Sequence, residues 1–510
     1  MFFANVVNIF KKPCIYNSFF VSEILKNIQL TLDFYQKIEY IYTVFYFGRL
    51  IYMKEENREY GQVAYDIVEH AAKKIGSRLP GSEGERKFHD YMCGKLEEIG
   101  IKPVKEEFAV SPRSGIGGLG YAGYFGIIMS ALTYFALHNE NLWFAMAIAG
   151  LIFVFWLVFS CFFYKKWFDM FFPEKISMNS YGELLPEDGN YDYTIVLSGH
   201  TDTSWTWRHS ENTYKHRNKP ILGLLTVYGK VGFGAICVFL NVGIAVAMAV
   251  IYGAYKISTS CGLDASGYSF TSEWSYNILT STSFKTFTGV VLLVLPVITA
   301  IGSAFVAMWG DPHEENASRG AMDNATGIGL SYAVIKYFKE HPEKMPKNCR
   351  IIDYNCGSEE AGLRGSMAFA AEHKYDGMLE NCWNLNIDSV ADKDYFEVVI
   401  KDDWQGCRFD KDLEKMFKDT FAELGIESKT NGCIHNPVGG CDSTPMTRAG
   451  VKSVTFAAQN PMLTYYYHTW RDLPERFEPE TVSTGFDVLL GVIDKIDKFQ
   501  QENGFNGVNH

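Results

Sequence analysis

Four stretches of the chain, 114–139, 141–164, 231–255 and 286–310, contain no Asp, Glu, Lys or Arg. Each has about 24 residues, and at a rise of ~1.5 Å per residue a helix of that length reaches roughly 36 Å, more than the ~30 Å hydrocarbon core of a bilayer. Segments such as LWFAMAIAGLIFVFWLVFSCFFY are apolar on every face. A helix of that kind needs an apolar environment all round, either a protein core or lipid. Buried core helices are one solution; membrane helices fit these lengths better.

The stretches come as two pairs. Residues 138–141 join the first pair as a tight helical hairpin, and a longer polar loop, 256–285, joins the second. An even number of crossings returns the chain to the side it left, so the soluble segments share one compartment. Arg113, Lys165, Lys166, Arg208, Lys215, Arg217 and Lys219 flank that side, whereas the hairpin tips carry only Lys256 and Lys285. The positive-inside rule then predicts a multi-pass membrane protein with its soluble part in the cytoplasm. The cysteines agree: 11 of them are scattered without a C-x-x-C pair, which suggests neither a disulfide framework nor a thiolate zinc site. A formal net charge of -12, with no long basic block, argues against a general nucleic-acid-binding surface.

Removing the hairpins, 114–165 and 221–310, leaves 53–113, 166–220 and 311–500, a discontinuous soluble domain in which helical and strand patterns alternate, as in an α/β fold. YDYTIVLSGHTD rises through an apolar strand to a polar end, and CRIIDYNC and VKSVTFAAQ are further strands. Leu330, Ala333, Val334, Tyr337 and Phe338 are spaced as one face of a helix, and Val482, Phe486, Leu489, Ile493 and Ile496 mark a closing helix before a tail at 501–510. Residues 1–52 form an N-terminal extension of different character, without the cleavage pattern of a secretory signal, and Met53 is an alternative start.

Chemistry-bearing residues gather where these strands end. GSEEAGLRGS follows a strand and sets Glu359 beside Glu360; adjacent carboxylates repel unless water, a proton or a cation separates their charges. His200 and Asp202 in SGHTDTSW share one face of an extended chain and could hold a metal. Asp323 in RGAMDNATG precedes a helix that Asn324 or Thr326 could cap. Asp388 ends an apolar strand in NLNIDSVAD, and His468 sits in the aromatic loop YYYHTWRD. Each has an ordinary explanation singly. Together, imidazoles and carboxylates at strand ends are the hard and borderline donors that suit zinc-like ions.

HTD, AMDNATG, GSEEAGLRGS, NIDSV and YHTWRD, in this order, resemble the motifs of the metallopeptidase family numbered twenty-eight, which includes bacterial leucyl aminopeptidases and glutamate carboxypeptidases. RLPGSEGERKFHDYM and CDSTPMTRAGV resemble its supporting segments. The resemblance implies a helix-flanked mixed β-sheet of the zinc exopeptidase type, here with two inserted α-helical membrane hairpins. It implies two Zn2+ ions, with other divalent metals as alternatives: His200 and Asp388 on one, Glu360 and His468 on the other, and Asp323 bridging through a loop with a cis Asp323–Asn324 bond. Glu359 becomes the general base toward a water held between the ions, and Asp202 accepts the free imidazole N–H of His200.

The expected function is a membrane-associated exopeptidase, an aminopeptidase acting on peptides, with peptide and membrane lipid as partners and no nucleic acid. A glutaminyl-cyclase-like acyltransferase and a non-catalytic scaffold on the same fold are the alternatives. His209, His216 and His435 read as surface or local hydrogen-bonding residues, Tyr465, Tyr466 and Tyr467 as loop packing or pocket lining, and Asp442 as a support through local backbone hydrogen bonds. Arg364, Lys401, Arg408 and Arg471 are candidate anchors for a substrate carboxylate. The ~120-residue separation between Asp202 and Asp323 leaves a site intact only if the ends of the intervening segment lie close together.

Overall fold

The computed structural model describes residues 57–136, 139–206, 227–260, 282–310, 317–436, 439–461 and 466–503. Contacts separate residues 1–59 from a unit beginning at Tyr60, to which everything below belongs. The N-terminal extension, Met53, His209, His216 and Tyr465 lie outside the described residues.

The soluble part is built on one mixed sheet. Its strands are β1 (Pro103–Val110), β2 (Lys175–Leu184), β3 (Tyr193–His200), β4 (Cys349–Cys356), β5 (Cys382–Val390), β6 (Phe396–Asp402), β7 (Cys407–Arg408), β8 (Cys433–Asn436) and β9 (Lys452–Ala458). Their order is β1-β2-β4-β3-β5-β9-β6-β7, with β8 beside β6. The four central strands β4, β3, β5 and β9 are parallel, and antiparallel pairs flank them. β3 and β4 are buried along their whole length, and each carries a continuous apolar run, Ile195–Leu197 and Ile351–Ile352, at its middle.

Alternate residues of these strands feed two cores. Ile195, Leu197 and Ile351 face one, with Leu330, Ala333 and Val334 of the helix Thr326–Glu340 and Val482, Phe486, Leu489, Ile493 and Ile496 of the helix Pro479–Asn503. Val196, Ile352 and Tyr354 face the other, with Phe369 of the helix Arg364–His373 and Met446 of the helix Ser443–Arg448. The sheet is therefore covered by helices on both faces, and its parallel strands deliver their carboxyl ends to one rim.

The apolar stretches are helices: Leu119–Ala136, Glu140–Trp156 continuing through Leu157–Phe162, Val227–Ser260, and Thr282–Ala307. Three, over Ile116–Ala136, Asn141–Phe162 and Phe233–Ala254, are long and apolar enough to cross a membrane; the fourth contributes a shorter apolar length, Leu293–Ala307, among the described residues. The sequence pairs them as two hairpins, but the packing makes one bundle, because the first helix lies closely against the fourth. Gly123 abuts the Ala307 backbone and Gly126 the Ser303 side chain, while Tyr134 Oη donates to Leu293 O at 2.7 Å, so the two run antiparallel. Gly150 packs on Val242 between the second and third helices, and Cys237 on Gly302 between the third and fourth. Asn241 Nδ2 donates to Gly126 O at 3.1 Å and Ser130 Oγ at 3.0 Å, and Ser130 Oγ lies 2.9 Å from Thr299 Oγ1. Small residues at the contacts and hydrogen bonds inside are what helices need when apolar surroundings give them no other reason to associate. Ile128, Phe135, Ile148, Ile236, Val250 and Ile301 point outward and exposed. The chain leading to the second insertion and the end of that insertion meet at Thr206 and Gly310: Gly310 N donates to Thr206 O at 3.3 Å.

Candidate metal centre

The rim formed by the carboxyl ends of the parallel strands is the usual location for a site in an open α/β sheet. His200 is the last residue of β3, Glu359–Ala361 is a 3-10 turn after β4, Asp388 lies near the end of β5, and His468 follows β9. Asp323 comes from the loop before the helix Thr326–Glu340, and its peptide bond to Asn324 is cis.

These side chains converge. His200 Nε2 lies 3.0 Å from Asp323 Oδ1 and 3.9 Å from Asp388 Oδ1. His468 Nε2 lies 3.0 Å from Asp323 Oδ2 and 3.1 Å from Glu360 Oε1. The donor atoms form two groups, His200–Asp323–Asp388 and Asp323–Glu360–His468, each within 4.8 Å and sharing Asp323.

Local backbone geometry aims them. Ser358, Ser389 and His468 have φ of 53°, 61° and 54°, a region non-glycine residues rarely occupy, and each is itself a donor or within two residues of one. Asn324 Oδ1 caps the following helix by accepting from Gly327 N at 2.9 Å, and also accepts from Ser389 N at 3.2 Å, tying the Asp323 loop to β5. Thr326 does not cap; its hydroxyl returns to Met322 O and also accepts from Val390 N.

Asp202 lies beside the His200 imidazole, as expected, and makes further contacts. His200 Nδ1 makes its hydrogen bond to the main-chain carbonyl of Asp202 at 3.2 Å, with Oδ1 farther away at 3.4 Å. The Asp202 carboxylate also accepts Glu359 N on Oδ1 and Glu360 N on Oδ2, both at 2.9 Å. It clamps the turn that separates the two glutamates.

Several contributors carry no such signal in the sequence. Asp472 accepts Met322 N at 2.8 Å and Asp323 N at 3.0 Å, and Ser204 Oγ meets His468 Nδ1 at 3.0 Å. In the RLPGSEGERKFHDYM segment, the buried guanidinium of Arg78 donates to Thr201 O, Arg319 O and Gly320 O. Glu85 accepts Ser358 N at 2.7 Å. Arg78, Glu85 and Asp472 lie inside the motif and supporting segments, which is the clue available before folding.

Other sequence candidates are placed elsewhere. Asp442 is buried, but its support is a side-chain hydrogen bond from Ser366 rather than local backbone bonds, and its Oδ2 has no hydrogen-bond partner. His435 is exposed on β8, 3.4 Å from Asp403. Tyr466 donates to Asp392, and the Tyr467 ring stacks on His468 at 3.8 Å. Arg364 is buried against Asp169 at 3.2 Å, Arg408 pairs with Glu414 and Lys401 with Asp403, and Arg471 stacks on Trp470.

The electrostatics mark this as a place for positive charge. Burial opposes charging of His468, yet the Glu360 and Asp323 carboxylates lift its pKa to about 10. His200 is raised well above the ordinary range as Asp202 and Asp323 outweigh the same burial. Burial raises Glu359 well above the usual carboxylate range, with His200 opposing and Glu360 adding, and raises Asp388 to about 7. A desolvated acidic cluster must hold protons or a cation. Glu360 Oε1 is buried, and its close polar neighbour is His468 Nε2 at 3.1 Å, a nitrogen of the same donor group, so the two atoms face one point that a cation could occupy. Imidazole nitrogens and carboxylate oxygens in two groups fit zinc-like divalent ions.

Residues 305–493 match Peptidase family M28. No curated protein matches the chain. Among solved structures, it is similar to a zinc aminopeptidase from Bacillus subtilis, at 12% identity and TM-score 0.45 over 86% of this chain and 95% of that one. It is similar to a Zn-dependent exopeptidase from Parabacteroides distasonis, at 12% identity and TM-score 0.46 over 85% and 97% of the chains. Glutaminyl cyclase from Bacteroides thetaiotaomicron is similar at 12% identity and TM-score 0.45 over 85% and 97%.

Proposed function

We propose that this chain is a membrane-associated two-zinc exopeptidase, an aminopeptidase, with its catalytic part in the cytoplasm. The observation that carries the reading is the pair of donor groups sharing Asp323, with Glu359 adjoining Glu360. His200, Asp323 and Asp388 would hold one ion, and Asp323, Glu360 and His468 the other. Such ions supply a water acidic enough to attack near neutral pH and a polarised carbonyl. Glu359 would take the proton of the attacking water and pass it to the leaving amine, a shuttle that typically contributes about 10² to 10⁴ in rate. Asp202 fixes the turn that carries Glu359 and Glu360 through their backbone amides.

The surroundings favour an amine end over a carboxylate end. Three of the four candidate anchors for a carboxylate, Arg364, Arg408 and Lys401, are committed to acidic partners. The test is hydrolysis of matched peptides with free and blocked N-termini by the purified, zinc-loaded protein, with zinc counted per chain. Cleavage of free peptides alone, with two zinc ions, supports the assignment. One tightly held zinc with cyclisation of N-terminal glutamine and no cleavage would replace it with the cyclase reading.

A further inference from the structure

The sequence assigns the first hairpin an end at residue 165, because Lys165, Lys166 and Asp169 interrupt the apolar run. The structure carries the apolar surface further. Over residues 163–171 the side chains of Phe163, Trp167, Met170 and Phe171 are 42%, 53%, 81% and 72% exposed, an unusual concentration for a water-facing segment. The Trp167 ring stacks on Phe159 at 4.6 Å and on Phe155 at 5.8 Å, and Phe155 is itself exposed on the flank of the second apolar helix. The exposed apolar surface is thus continuous from the bundle onto this segment, and Lys165, Lys166 and Lys175 border it. Aromatic side chains with lysines beside them are the composition of chain lying at the headgroup level of a membrane.

The same segment is joined to the metal centre. Asp169 Oδ1 accepts from Ser114 Oγ at 2.6 Å and lies 3.2 Å from Arg364 Nη2, four residues after Glu360. The Tyr164 ring covers Gly362, where a Cβ would lie 3.2 Å away. Gly115 packs on the Ala361 carbonyl, where a Cβ would lie 3.0 Å away, and Trp156 Nε1 fixes Ser114 O at 2.9 Å. Gly115 is only four residues before the helix Leu119–Ala136, a chain length that spans at most ~14 Å. The glutamate turn therefore stands within about that distance of the bundle's end.

We propose that residues 163–171 rest in the headgroup layer and hold the reaction centre at the bilayer surface, so that its substrates are peptides whose free N-terminus emerges from the same membrane a few residues away. This rests on the metallopeptidase reading above and names its substrate class. Tethering confines such a chain to a thin layer around the site and raises its effective concentration. A spacer of about 5 residues, at ~3.5 Å each, reaches the centre from the surface.

The test uses the full-length protein in liposomes with the catalytic part outward. Peptides with a free N-terminus are joined at their C-terminus to a lipid through spacers of about 5, 10 or 20 residues, spanning the reach of extended chain, and compared with the same peptide unlipidated. The shortest spacer is expected to be cut, and at least tenfold faster than the soluble peptide. Trp167→Ser with Phe171→Ser is expected to shift cleavage to longer spacers and leave soluble-peptide turnover unchanged. A dye on Met170→Cys is expected to be quenched by lipids nitroxide-labelled in the headgroup. Cleavage of the longest-spacer and soluble peptides with the shortest left intact, or an unquenched dye, overturns the proposal. Failure to cleave any peptide, the soluble one included, overturns the peptidase reading and the substrate class with it.

Discussion

Asp202→Asn is the sharpest test of how the two glutamates are held. The native carboxylate presents one oxygen to Glu359 N and the other to Glu360 N, both at 2.9 Å. Asparagine keeps the shape but offers one acceptor, so one bond is lost and a buried N–H then faces an NH2 group. A hydrogen bond to a charged group contributes about 1.5–3 kcal/mol and an unpaired buried donor costs about 1–3 kcal/mol, which together give about 2.5–6 kcal/mol. Part of this appears as lower stability and part as a shift of the turn that moves Glu360 from its position. Loss of an interaction that orients a metal ligand typically lowers metal affinity 10–100-fold, as a rough guide. Chelator competition for zinc, with thermal denaturation of the metal-free protein, measures both parts. Zinc affinity and denaturation midpoint equal to wild type would refute the clamp.

Glu359→Gln should lower turnover by about 10² to 10⁴ while zinc content stays near wild type, whereas Glu360→Ala should lose zinc; equal zinc loss in both would contradict the division of roles. Gly123→Val should force the first apolar helix from the Ala307 backbone and lower the denaturation temperature in detergent, and an unchanged midpoint would argue against that contact. Glu397 is buried with Oε2 lacking a hydrogen bond, and burial raises its pKa to about 8. Between its unfolded value near 4.5 and about 8 the folded state binds the extra proton, so this residue makes stability fall as pH rises through that window and level off above it. Glu397→Gln should flatten that decline in denaturation midpoints measured from pH 5 to 9, and an unaltered profile would count against the assignment.

The sequence by itself determined what depends on neighbouring residues. Absence of charge over a bilayer's length marked four helices, and the 3.6-residue spacing of Leu330, Ala333, Val334, Tyr337 and Phe338 marked the helix behind the site. Polar residues closing apolar strands pointed to His200, Glu359, Glu360 and Asp388, since the end of a strand is where its chain leaves the apolar core and polar side chains can gather. Tertiary structure decided what depends on partners distant in the chain. Glu85 reaches Ser358 across 273 residues, and no local pattern announces such a contact. The antiparallel union of the first and fourth apolar helices depends on Gly123 meeting Ala307 and on Ser130 meeting Thr299. Asp202 was legible as an acidic residue near His200, but its bonds to the two backbone amides of the glutamate turn follow from where β3 and β4 end side by side in the sheet. The aromatic segment after Phe162 escaped recognition because charge counting stops at Lys165, whereas exposure is a property of the folded surface.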